Sequence, residues 1–429
     1  MRVPTKIIGY GRMGMFIDQE VRKLGVDVSN EIDSDPAGTV LHCSTPAHLL
    51  RYREGQRLTV LTMWESTNLP ESLYETLHHF DTVFVPSWQN VELFGKYHDD
   101  VRFVPLGIDP TDWYPIERTL PLHRFTFLIG GSGPRKGLDV AYKAFRLAFP
   151  DNSWGDGPEP HLVFKAPNPA PFGGDRITQI NGRLTAEDEI ALYASAHCYL
   201  QPSRGEGFGL QPLQAIAQGC PTILTDAHGH ASFAHLGIGV SATHTPTIPG
   251  SFMFGEAGDW WEPSLDEMVE QMRWVYDNYA KACAKARVSA QEVDREWTWE
   301  HTARRLVDEL GDLPAYTGSG QWLVPEVKLF TAVLNRPHAA DIAGSSYRWE
   351  AFTPYAITAD VKRILYDGGF LDPSCVFGDS GLTQQQVALV GTPSGAESFC
   401  GTCHQRLNSQ PTRADLSYDA STLTDGMVR

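Results

Sequence analysis

The segment Gln201 to Thr225, QPSRGEGFGLQPLQAIAQGCPTILT, constrains this chain more than any other stretch. It reads as the end of an apolar strand, a glycine-rich turn, a short amphipathic helix and a second apolar strand. Strands that run parallel need such a crossover, so the segment predicts an open α/β sheet. Gly205, Gly207 and Gly209 let backbone approach a ligand closely, and a helix opening near Leu210 directs unpaired amides toward it. Leu210, Leu213, Ile216 and Ala217 give that helix its packing face, Gly219 suits its C-terminal cap, and Pro221 prevents continuation. Ligands of open parallel sheets gather beyond the carboxyl ends of the strands. Glu206, held in the turn, is therefore placed for chemistry.

The wording PSRGEGFGLQPLQAIAQGCPTI resembles the donor-site signature of family-four retaining glycosyltransferases. That signature runs P-S-x-x-E-G-F-G-x-x-x-x-E-A-x-A-x-G-x-P. The resemblance implies the GT-B fold: two doubly wound Rossmann-like α/β domains facing across a cleft. It also implies that Glu206 and the Phe208-Gly209-Leu210 backbone hold hydroxyls of the transferred sugar, and that Gln214 lies near the nucleotide ribose. Gln214 stands where the family carries a second glutamate. A neutral amide still bonds a ribose diol but loses the stronger charge-assisted bond.

At 429 residues the chain has room for two or three domains. Its 35 basic and 52 acidic residues give a net charge of -17, which repels a polyanion and disfavours nucleic acid as a partner. No apolar run is long enough to span a bilayer, and MRVPTKIIGYG lacks the long apolar core of a signal peptide, so a cytoplasmic protein without a transmembrane segment is expected. Seven cysteines, odd in number and scattered apart from one close pair, do not form a disulfide framework.

A first, acceptor-side domain is expected over residues 1–110. Lys6 to Tyr10 reads as a strand, followed by Gly9-x-Gly11-x-x-Gly14 and a helix through Met15, Ile17, Val21 and Leu24. Three readings are open for this loop. It fits a dinucleotide fingerprint with Glu31 on the ribose; by the resemblance, Gly11, Arg12 and Gly14 face the donor phosphates; or the glycines only pack helix against strand. Further strands are expected at Thr39–His42, Leu58–Met63, Thr82–Val85 and Val101–Val104. Their polar ends, His42, Trp64-Glu65-Ser66 and Ser87-Trp88-Gln89-Asn90, would build an acceptor pocket, although His42 equally suits a satisfied core histidine.

The second, nucleotide-sugar domain is expected over 111–310. Phe125–Ile129 is its first strand, and Gly130-Gly131-Ser132-Gly133-Pro134-Arg135-Lys136-Gly137 precedes a helix over Leu138–Phe149. Flexible glycines, two cations and a helix start together suit a diphosphate, whereas a solvated cation pair is the plain alternative. In the resembled family an arginine ahead of the Lys-Gly pair also contacts the donor. Gly131 stands at that place, so Arg135 substitutes only by turning inward. His161–Lys165 is another strand, and the resemblance puts Arg183 and Leu184 beside the nucleobase. Asp226–His230 should edge the sugar pocket, one long helix should span Ser264–Tyr279, and a last helix, Trp299–Leu310, should pack across the interface.

Beyond the resemblance, residues 311–429 are expected to form a small accessory domain. Trp322–Leu334 is strand-like, and Ile357–Tyr366 is helical. Cys400-Gly401-Thr402-Cys403-His404 admits a structural zinc site completed by Cys375 or His404, or plain reduced thiols; covalent haem would need an export route that nothing here supplies.

The expected activity is retaining transfer of a sugar from a UDP-, GDP- or ADP-sugar to a hydroxyl of a glycan, protein, lipid or modified nucleic acid, with no cofactor or metal required. Lys136, with Arg135, would stabilise charge on the departing diphosphate while Glu206 orients the sugar. Rival expectations are an NAD(P)-dependent oxidoreductase using Gly9–Gly14, an inactive binding or structural descendant signalled by Gln214 and Gly131, and a glycosyltransferase of modified DNA bases.

Overall fold

A computed structural model of the chain describes residues 8–26, 28, 39–44, 52–53, 57–248, 258–311, 322–323, 389–392 and 395–398. The chain enters on helix α1 (Ile8–Lys23). Here the structure corrects the sequence expectation. Ile8 to Tyr10 are helical, so the glycine fingerprint lies inside α1 and makes no strand-to-helix phosphate turn, which removes the basis of the dinucleotide reading. Met13, Ile17 and Val21 recur every four residues and are all buried, and Phe16 stacks on Trp299 at 5.2 Å. That apolar stripe outweighs the roughly 1 kcal/mol that each interior glycine costs a helix.

The first sheet is parallel, in the order β1 (Thr39–Cys43), β3 (Arg57–Leu61), β4 (Thr82–Val85), β5 (Val101–Phe103). A two-residue strand β2 (Tyr52–Arg53) pairs instead with β14 (Trp322–Leu323). Between the sheet strands lie the short helices α2 (Glu71–Tyr74) and α3 (Trp88–Phe94). Ser87 caps α3 by accepting the Asn90 amide, which fixes the direction in which Gln89 and Asn90 leave the sheet.

The second sheet has six parallel strands in the order β11-β10-β9-β6-β7-β8. Their ranges are β6 (Arg124–Gly130), β7 (Glu159–Ala166), β8 (Ile177–Asn181), β9 (Cys198–Gln201), β10 (Thr222–Thr225) and β11 (Ile238–Val240). Helices α4 (Leu138–Ala148), α5 (Ala186–Ser195) and α6 (Leu210–Ala217) connect them. The chain starts in the middle, winds outward through β7 and β8, then returns to place β9 on the other side of β6. Winding therefore reverses between β6 and β9, and the loops leaving these two neighbours diverge to open a crevice. Phe125, Phe127, Phe145, Phe164, Met268 and Met272 fill one face of this sheet, each side chain contributing on the order of 1.5–3 kcal/mol by burial.

An antiparallel hairpin, β12 (Ala242–Pro246) and β13 (Asp259–Pro263), follows. The helix expected over Ser264–Tyr279 is α7 (Leu265–Asp277), capped by Ser264; a further helix that the sequence reading does not assign, α8 (Tyr279–Glu296), follows after Asn278. Helix α9 (Trp299–Leu310) then returns to the first lobe. The Arg57 guanidinium donates to the Leu310 carbonyl at 2.7 Å, and the Thr302 hydroxyl donates to the Pro105 carbonyl at 2.9 Å. At the crossing, Ile108 bridges Thr298 in parallel fashion, and Gly107 lies so close that a Cβ there would meet the Thr298 carbonyl carbon at 2.1 Å. Two parallel α/β sheets facing across a cleft, with the final helix recrossing, form the GT-B arrangement. Apart from residues 311, 322–323, 389–392 and 395–398, the expected accessory domain lies outside the described residues, as does the Cys375, Cys400, Cys403 and His404 zinc reading.

Candidate active site

The loops leaving β6 and β9 build the site. After β6 the backbone turns through Gly131 (φ 128°), Gly133 (φ 77°) and Gly137 (φ 69°), left-handed conformations that non-glycine residues reach only at a cost. A Cβ on Gly131 would sit 2.7 Å from Cγ of Lys136. The glycine thus clears the path along which the lysine side chain reaches the crevice. After β9, Gly205 and Gly207 press the turn against the first lobe: added Cβ atoms would meet the Glu65 carbonyl oxygen at 2.1 Å and Cγ of Met63 at 2.4 Å.

Lys136 Nζ donates to Glu206 Oε1 at 2.6 Å, and Arg135 Nη1 lies 3.2 Å from Glu206 Oε2. Arg135 has turned inward. Its Nη1 also donates to the Gly205 carbonyl, and its Nη2 lies 3.1 Å from Oε1 of Glu65, a residue of the first lobe. Burial would raise the Glu206 carboxyl, but the Lys136 and Arg135 cations outweigh it and hold that acid well below the usual carboxylate range. Burial has the upper hand at Glu65, whose carboxyl is raised in spite of Arg135.

Glu206 is further fixed from behind. Ser203 Oγ donates to its Oε1 at 2.8 Å, Gln201 Nε2 donates to Ser203 Oγ at 2.6 Å, and the Tyr199 hydroxyl donates to Gln201 Oε1 at 3.0 Å. Every member of this chain is buried, so the carboxylate is oriented by partners that have no water to turn to. Arg204 clamps the cationic loop from outside, donating to Asp139 at 2.8 and 2.9 Å, to Glu262, and to the Pro134 carbonyl at 2.6 Å.

A cavity of about 250 Å³ lies over these groups. The second lobe lines it with Lys136, Gln201, the run Glu206 to Leu210, Gln211 and Pro212; the first lobe adds Met13, Met63, Glu65 and Leu106. Glu206, Lys136, Phe208, Gly209 and Leu210 are thus brought together, with Arg135 beside them. Phe208 packs on Phe233 at 5.2 Å, and Gly209 (φ 112°) lies against the His230 ring.

Other expected site residues lie elsewhere. Gln214 is half-buried one turn further along α6, and Gln211 reaches the cavity in its stead. Arg183 is exposed and Leu184 half-buried beyond the edge strand β8. Gly11, Arg12 and Gly14 are helical positions of α1, with Arg12 exposed; of that stretch it is Met13 that reaches the cavity. His42 is buried, its ring edge-on to Phe80 at 6.4 Å, and does not line the cavity. Two contributors were missed by sequence reasoning. Glu65 was legible as a polar strand end but not as a partner of Arg135, and Arg204, inside the signature, was passed over as a variable position.

A GT-B fold with paired cations and a carboxylate at its switch point defines a glycosyltransferase. Residues 92–306, half of the chain, match the family described as "Family 4 Glycosyltransferase in conflict systems", and the chain belongs to that family. A protein of Sulfolobus islandicus filamentous virus (isolate Iceland/Hveragerdi), provisionally named glycosyltransferase 41, is 42% identical over 48 residues. That match takes in 11% of this chain and 15% of the viral protein, far less than two thirds of the relative's length. Among solved structures, WaaG, a glycosyltransferase involved in lipopolysaccharide biosynthesis, aligns with a TM-score of 0.48 and 14% identity over 71% of this chain and 97% of its own. Sucrose-phosphate synthase from Thermosynechococcus elongatus aligns with a TM-score of 0.45 and 17% identity over 58% of this chain and 66% of its own. Among the described residues no helix is long and apolar enough to cross a membrane.

Proposed function

We propose that this glycosyltransferase moves a sugar, with retention, from a nucleotide diphosphosugar to an acceptor hydroxyl, without a metal ion. The observation that carries the proposal is the convergence of Lys136 and Arg135 on Glu206 beneath one cavity. Two cations at the end of a glycine-rich turn suit a departing diphosphate, whose developing charge they would stabilise in a site shielded from water. Glu206, kept ionised by those cations, accepts hydrogen bonds from sugar hydroxyls and orients the ring. In the step itself the bond from the anomeric carbon to the phosphate oxygen breaks and a bond to the acceptor oxygen forms on the same face. The acceptor's proton passes to the released phosphate oxygen, so no protein nucleophile is needed. A cavity of about 250 Å³ is smaller than the roughly 300–1,000 Å³ of complete ligand pockets and fits the sugar-diphosphate head, the base lying further out along the crevice.

A thermal-shift panel of UDP, GDP, ADP and their sugars tests the donor, because a ligand that binds only the folded state raises the melting temperature. One nucleotide series should raise it in the native chain and not in Lys136→Ala. Equal shifts in both proteins would refute the assignment. A cytoplasmic location, and a glycan, protein, lipid or modified nucleic acid as acceptor, belong to the same proposal.

A further inference from the structure

The charges lining the cavity, taken with Arg135 beside it, sum to zero before any ligand arrives. Arg135 and Lys136 are answered by Glu206 and by Glu65, which comes from the opposite lobe. A diphosphate brings at least two further negative charges to the same two cations, so one carboxylate has to yield. Glu206 is not the one. Its side chain is 7% exposed and is held by Lys136, Arg135 and Ser203 at once. The Glu65 side chain is 31% exposed, and its ion pair is a single contact of 3.1 Å. Its backbone, by contrast, is fixed. Gly205 packs against its carbonyl oxygen, and Asn90 grips the adjoining Trp64 by accepting from its amide at 2.6 Å and donating to its carbonyl at 3.0 Å. A rigid base with a side chain free to swing suits a group that must release and return.

We propose that Glu65 occupies on Arg135 the place that the donor's diphosphate takes, and so acts as a displaceable plug supplied by the acceptor-side lobe. This rests on the phosphate assignment above and adds a gate to it. Uncharged sugars cannot dislodge the plug, whereas a diphosphate competes with it directly for the guanidinium. The ionisable groups facing Glu65 are Arg135, Lys136 and Glu206, all from the second lobe, so protonating Glu65 removes the competing anion without adding another.

Calorimetric binding of inorganic pyrophosphate to the full chain provides the test. Glu65→Gln should bind it about tenfold more tightly than the native protein. Native and variant affinities should converge as pH is lowered through the raised range of the Glu65 carboxyl, a comparison from which the ligand's own titration cancels. Arg135→Gln should erase the gain from Glu65→Gln, since the two residues act on one another. Should Glu65→Gln not fold, Glu65→Asp, one methylene shorter, should show a smaller gain. Equal or weaker binding by the Glu65 variants, with native binding lost in Lys136→Ala, overturns the plug and leaves the phosphate site standing. Absence of pyrophosphate binding to native and variant proteins alike overturns both.

Discussion

Lys136 Nζ lies 2.6 Å from Glu206 Oε1 although seventy residues separate them along the chain. Neighbouring strands of reversed winding bring them together, because β6 and β9 each deliver a glycine-rich loop to the same crevice. Their separate removal should have unlike consequences.

Lys136→Ala leaves Glu206 paired with Arg135, so the protein should fold while turnover falls roughly 10²–10³-fold. Glu206→Ala leaves two cations without their carboxylate and should cost about 3 kcal/mol of stability besides activity. Melting curves and sugar-transfer rates measured on both variants separate the effects; near-normal rates in both would reject the assigned roles.

Gly131→Ala tests the approach path. The substitution meets a left-handed φ of 128° and a Cβ contact of 2.7 Å with Lys136 Cγ, so the lysine must shift. Stability should fall by about 1–2 kcal/mol, and turnover should fall by at least the tenfold expected of a misplaced catalytic cation. An active variant with native donor affinity would show that Lys136 reaches its place by another route.

Acid should loosen the fold through the buried histidines behind the turn. Burial lowers His230 to about 4 and takes His228 well below its ordinary value. The folded state therefore holds both neutral, while the unfolded chain begins to bind protons below about pH 6.5. Stability from His230 is complete above that value and is lost as pH falls toward about 4, a change of roughly 3 kcal/mol. Melting temperature against pH should be shallower across this window in His230→Gln. An unchanged slope would acquit the histidine.

Gln214→Glu addresses the departure from the family signature. Under the proposed donor site, with the ribose beside position 214 as the resemblance implies, a carboxylate would make a charge-assisted bond worth about 1 kcal/mol over the amide, so nucleoside diphosphate affinity should rise about fivefold. Titration with the nucleotide found in the thermal-shift panel measures it. Weaker binding would mean that the ribose lies away from α6.

Periodicity made the strands and most helices legible. Runs such as Thr82–Val85 and the apolar stripes of α4, α6 and α9 fall where the sequence placed them, because local pattern and tertiary burial agree there. The dinucleotide reading of Gly9 to Gly14 failed for the opposite reason. A phosphate-loop pattern lies on residues whose other side chains, Met13, Phe16 and Ile17, pack a helix onto Trp299, and that packing is invisible from the local pattern. Helix α8 went unassigned because its buried positions, Ala282, Ala286, Ala290 and Val293, are mostly small residues that make a weak apolar stripe. At the site, the signature named Glu206 and the loop named Lys136. The partners Glu65 and Arg204 are set by contacts between residues 58 to 70 positions apart, which no spacing rule reaches.

The crossing at Ile108 and Thr298 governs how the halves of the molecule can move. Ile108 accepts from the Trp299 amide at 3.1 Å and donates to the Trp297 carbonyl at 2.9 Å, so the two connections form a two-ply ribbon. Sliding one ply past the other would break both bonds, whereas flexing the pair together keeps them. A swing of the halves about that ribbon, like the covers of a book about a spine, is the motion that leaves both bonds intact.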